Sequence, residues 1–136
     1  MFYKCKKLTS IDVSHFNTKN AIKMTAMFSD CQTLKSINVS NFSTSNTDDI
    51  GSMFYGCSSL TSIDLTNFDS KSITGYGSLF GSCSKLTYVD ISSFTTNNTQ
   101  VNIFFKTAAR GILKVKKEFY DKMIDLLTGW SIIFVD

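Results

Sequence analysis

The chain contains no proline among its 136 residues, only seven glycines, and a single histidine and tryptophan. Without proline, turns must be built from Asn, Asp, Ser and Gly, whose short side chains bond the nearby backbone or tolerate unusual dihedrals. No apolar run reaches the roughly 20 residues that a membrane-spanning helix needs. The opening MFYKCKKLTS lacks the apolar stretch of a signal peptide. Membrane insertion is therefore not expected. Charge of one sign is scarce too: 14 Lys and Arg face 11 Asp and Glu, for a net +3. The lysines lie apart, Lys4, Lys6 and Lys7 near one end and Lys114, Lys116 and Lys117 near the other, so nucleic-acid binding is not expected either. A hydrophobic content of 43% excludes a disordered chain.

What the sequence does have is a repeat. Cys5, Cys31, Cys57 and Cys83 are each 26 residues apart, as are Leu8, Leu34, Leu60 and Leu86. Phe16, Phe42, Phe68 and Phe94 keep the interval, and so do Phe2, Phe28, Phe54 and Phe80. Repetition this strict marks a solenoid, in which each unit buries its apolar face against its neighbours. It also argues against an enzyme, because a repeated core holds no singular set of reactive groups.

Within one unit, Met24, Met27, Phe28 and Cys31 sit at i, i+3, i+4 and i+7, the spacing of a short helix's apolar stripe. The stretch Leu34 to Phe42 follows, with Ile37 and Val39 alternating with polar residues as a half-buried strand requires. A polar stretch then leads to the next unit. The fold expected is a short α/β leucine-rich-repeat solenoid, with a parallel sheet on one face and short helices on the other. The array would span residues 1–110 and a C-terminal cap residues 111–136. In that cap a strand is expected at Ile112–Val115 and an amphipathic helix over Lys117–Thr128, ended by Gly129. Trp130 and Ile132–Val135 would close the core.

The candidate sites carry competing readings. The cysteines fall on the apolar face, so core packing is preferred to disulfides, and no pair has zinc-ligand spacing. Asp12, Asn38, Asp64 and Asp90 form a ladder on the outward side of the strands, with Tyr88 its neighbouring aromatic. Hydrogen bonding along that ladder is preferred to calcium binding. No catalytic arrangement forms around His15, and no metal or other cofactor is expected. The polar stretches differ most among the copies, which makes Lys19, Lys23, Asp48, Asp49, Lys71 and Tyr76 candidate interaction-loop residues. Met1 and Phe2 take the positions of Met27 and Phe28, so the chain starts inside a repeat. A fragment of a longer array is the expectation. Its first repeat, with Met1, Phe2 and Leu8 uncovered, would allow end-to-end self-association.

The units MFSDCQTLKSINVSNFSTSN and MFYGCSSLTSIDLTNFDSKS closely resemble the BspA-like leucine-rich repeats of bacterial and protozoan surface proteins. The closest variety is the MFxxCxxLxxIDLSxFxTSN form of many mycoplasma-type and Gram-positive surface lipoproteins, and the likeness runs from Met1 to about Gln100. The resemblance implies a non-catalytic interaction or adhesion module, extracellular or on the cell surface, whose partner is a host or cell-surface protein. A spacer within a longer parent protein is the alternative, and an enzymatic or carbohydrate-binding role, with calcium and sugar held on the Asp ladder, ranks third.

Overall fold

The computed structural model describes residues 1–95, 101–104, 107–108, 110–124 and 127–136. The alternating segments form one sheet of four parallel strands: β1 (Ser62–Asp64), β2 (Tyr88–Ile91), β3 (Gly111–Lys116) and β4 (Trp130–Val135), in that order. The strand expected at 112–115 is β3, and Ile132–Val135 falls in β4. Ile63, Val89 and Leu113 point into the core and are buried, as period-2 alternation demands.

Towards the first copies the sheet gives way. Ser10–Asp12 and Ser36–Asn38 are not strands, and a 3.4 Å bond from Thr61 N–H to the Lys35 carbonyl reaches back towards them. Side chains hold that region instead. Asn67 Nδ2 donates to the Val39 and Phe42 carbonyls at 3.0 and 2.9 Å, and Asn41 Nδ2 donates to those of Val13, Ser14 and Phe16.

The short helices expected around Met24–Cys31, Ile50–Cys57 and Tyr76–Cys83 are absent, which corrects the sequence reading. Each of these segments is a train of tight turns. Within a copy, Ser29 N–H bonds the Ala26 carbonyl and Cys31 N–H that of Phe28, both three residues back. The intervening amides reach the next copy: Phe28 N–H to Met53 at 2.9 Å, Phe54 N–H to Leu79 at 3.1 Å and Phe80 N–H to Ile103 at 2.8 Å. The cause is a pair of left-handed residues per repeat. Ala26, Ser52 and Ser78 have φ of 54°, 55° and 53°, and Lys4, Asp30, Gly56 and Ser82 have 59°, 60°, 71° and 59°. A left-handed residue interrupts the i→i−4 ladder and turns its peptide groups outwards.

Between the strand side and the turn side lies a continuous core. Phe2, Phe28, Phe54, Phe80 and Phe104 form one column, with successive ring centroids 5.5, 5.7, 6.0 and 5.4 Å apart. Phe42, Phe68 and Phe94 are buried as well, and Phe42 stacks on Phe16 with ring centroids 6.4 Å apart. The amphipathic helix expected over 117–128 shortens to α1 (Lys117–Tyr120). Met123 bridges Val101 instead, and Ile124 N–H bonds the Val101 carbonyl, so tertiary pairing with the preceding copy diverts the chain from helix. Leu126, within the expected helix, lies outside the described residues, as does most of the polar stretch 95–101.

Candidate interaction surface

The sheet register places the outward residues of successive strands in rows. Ser62, Tyr88, Ile112 and Ser131 make one row; Asp64, Asp90, Lys114 and Ile133 make the next. Asp64 is exposed, whereas Asp90 is only 7% exposed, which corrects its expected place as a free surface contact. The reason is its neighbour. Lys114 Nζ lies 3.7 Å from Asp90 Oδ2 and 5.7 Å from the centre of the Tyr88 ring, while the Tyr88 hydroxyl donates to Asp90 Oδ2 at 3.4 Å. Contact with Tyr88, and then the charge of Asp90, raises the Lys114 pKa above its ordinary value. The Asp64–Asp90 juxtaposition, unfavourable between neighbouring strands, is thus offset by a cation from β3.

The Asp/Asn ladder uses one carboxylate or amide oxygen per copy to close a turn. Asp12 Oδ1 accepts from Ser14 N–H at 2.9 Å, Asn38 Oδ1 from Ser40 at 3.0 Å, Asp64 Oδ1 from Thr66 at 2.9 Å and Asp90 Oδ1 from Ser92 at 3.1 Å. The hydrogen bonds to Ser14 hold the Asp12 pKa below the ordinary carboxylate value. Among the described residues, no three His, Cys, Asp or Glu side chains converge as a metal site.

The loop candidates separate by role. Lys19, Lys23 and Lys71 are exposed. Asp49 sits between Lys23 and Gly75 in successive parallel bridges, and its Oδ1 accepts from Gly51 N–H at 2.8 Å. Asp48 is half-buried, its N–H bonds the Ile22 carbonyl, and its buried Oδ1 has no hydrogen-bond partner among the described residues. Tyr76 is no loop contact: it is 3% exposed, packs on Phe94 and Phe119, and donates its hydroxyl to the Ser70 carbonyl. Burial pushes its pKa up to about 12.

The cysteine ladder is part of the core. All four thiols are free, and the Sγ atoms of Cys31, Cys57 and Cys83 donate to the carbonyls of Phe2, Phe28 and Phe54, each in the preceding copy. Burial raises the pKa of each of these thiols.

Sequence reasoning missed three contributors to the outer face, Ile112, Lys114 and Ile133. Ile112 is 40% exposed and Ile133 is 43% exposed, next to Tyr88 and the Asp90–Lys114 pair. Near the first copies, a cavity of about 480 Å³ opens among Met1, Phe16, Ala21, Met24 and Met27, beside the exposed Met1. No helix among the described residues is long and apolar enough to cross a membrane.

A family described as "Mycoplasma protein of unknown function, DUF285" matches the chain over residues 1–117. No curated protein and no solved structure matches it.

Proposed function

For a chain that belongs to the DUF285 family, we propose a non-catalytic protein-recognition module: a leucine-rich-repeat solenoid of the BspA-like kind, displayed at the cell surface. The partner would be a host or cell-surface protein. Support for the solenoid comes from bonds and ring contacts that recur from copy to copy, above all the Phe28–Met53, Phe54–Leu79 and Phe80–Ile103 amide bonds. The observation that carries the recognition reading is the outer sheet face, where Tyr88 and Ile112 lie side by side above the Asp90–Lys114 pair. An aromatic and an aliphatic side chain beside charged groups on a hydrogen-bonded frame suit a protein contact, in which a few anchors carry most of the affinity. The loops offer less, since Asp49 and Tyr76 are engaged within the fold and exposed lysines give little affinity unless desolvated.

A spacer is the second reading. The polar side chains Asn41, Asn67 and Ser93 are tied to the carbonyls of preceding copies, as a repeat serving only to extend a stack would require. Pull-down against immobilised host-surface and matrix proteins separates the two. The chain binds, the double variant Tyr88→Ala, Ile112→Ser does not, and a Lys19→Ser, Lys23→Ser, Lys71→Ser variant binds as before. Equal binding by all three would overturn the placement of the site, and binding by none would favour the spacer.

A further inference from the structure

β4 is the last strand of the sheet. Trp130–Val135 pairs along its whole length with Gly111–Lys116, and among the described residues no strand lies on its other side. Half of its backbone N–H and C=O groups therefore face outwards, a template for another strand. Edges are usually blunted by charge, proline, a bulge or short length. Here the run WSIIFV has no charge, proline or glycine, and its six-residue register is unbroken. Ile133 is 43% exposed and Phe134 is 48% exposed. The opposite edge differs: β1 has three residues, carries the exposed Asp64 and is flanked by Ser36–Ser40 across a cleft of about 350 Å³.

We propose that β4 is a self-pairing edge, joining two copies of this chain antiparallel about a two-fold axis perpendicular to the sheet. Such an axis keeps inner face with inner face, so residues that meet must point the same way. Centred on Ile133, the pairing sets Ile133 against Ile133, Ile132 against Phe134, and Ser131 against Val135. Apolar groups meet on both faces, and no like charges are opposed along the strand. Face-preserving registers centred on Ser131 or Phe134 pair only three residues of the strand, and the one centred on Ile132 sets Phe134 against Trp130. That indole is already packed on Phe104 at 5.4 Å and donates to the Ala108 carbonyl at 3.0 Å, so the first register is the one assigned. Because the strand itself is uncharged, a second copy is a better occupant than a partner recruited by charge. A six-residue edge buries less than a standard interface of about 1,600 Å², so the dimer is weak and concentration-dependent.

Sedimentation velocity on the 136-residue chain over a concentration series tests this, with circular dichroism melts to verify folding. The chain shifts from monomer to dimer, while Ile133→Lys, which opposes two ammonium groups at the axis, stays monomeric. A second arm does not depend on that variant: Ile133→Cys in a Cys5→Ser background forms a disulfide-linked dimer on mild oxidation. Residues opposed across an antiparallel pair have Cα atoms about 4.5–5.5 Å apart, within disulfide range. Ile112→Cys, exposed on the same face but one strand inwards, does not cross-link. A monomer at every concentration overturns the proposal. So does a dimer that survives Ile133→Lys together with no cross-link in the Ile133→Cys variant, which would move self-association to the cavity at the first repeat.

Discussion

At the scale of the residue, the thiols combine packing with a polar task. Cys31, Cys57 and Cys83 are buried, and each points its S–H at a phenylalanine carbonyl of the preceding copy. A buried thiol is a poor thiolate and hence a poor nucleophile. In the native protein, an aromatic disulfide reagent is expected to titrate one fast thiol, Cys5, which alone of the four is half-buried rather than buried. The other three react after denaturation. Native reactivity of all four would contradict the core placement. The same burial predicts a pH dependence. The unfolded thiols ionise near the ordinary value of 9.0, whereas in the fold Cys83 is pushed up to about 12 and Cys57 is raised as well. Above that ordinary value the unfolded chain gives up protons that the fold keeps, so this contribution to stability is complete below pH 9.0 and declines as pH rises towards about 12. Denaturant melts from pH 8 to 11 should show the decline, and it should be shallower in a variant with Cys57→Ala and Cys83→Ala.

At the scale of the element, left-handed residues explain both a prediction and a misreading. Ser52 sits at φ 55°, where a side chain is strained and glycine is not. Ser52→Gly should therefore stabilise by up to about 1 kcal/mol, and Gly56→Ala, at φ 71°, should destabilise by about 1–2 kcal/mol. Asn67→Ala removes two inter-copy bonds and is expected to cost about 1–3 kcal/mol, read from the midpoints of urea melts. The repeat, the inward strand residues and the Phe2–Phe28–Phe54–Phe80 column were legible, because 26-residue spacing and period-2 alternation survive in the folded register. The turns were not. Apolar residues at i, i+3, i+4 and i+7 fit a helix and a train of i+3→i turns equally well. What decides between them is backbone geometry at positions occupied by Asp30, Gly56 and Ser82, all turn formers. Likewise Lys117–Thr128 has helical patterning, but Met123 is captured by a bridge to Val101.

At the scale of the whole molecule, the copies form one core, and damage to one should be felt throughout. Phe68 is 1% exposed, so Phe68→Ala should cost about 3–5 kcal/mol in denaturant melts. The outer face became readable only with the sheet in place. Tyr88 pairs with Ile112 and Ile112 with Ser131, offsets of 24 and 19 residues in place of 26, so the repeat interval could not place the last two strands. Asp90 looked exposed in the sequence because nothing there set Lys114 beside it. The stacking on which core and outer face both depend rests on amide bonds between copies. The most direct measurement is therefore trans-hydrogen-bond scalar coupling by NMR on the labelled chain. Couplings are expected from the Phe28 amide nitrogen to the Met53 carbonyl carbon and from Phe54 to Leu79. Couplings from Phe54 to Ile50, four residues back as in a helix, would contradict the stacking.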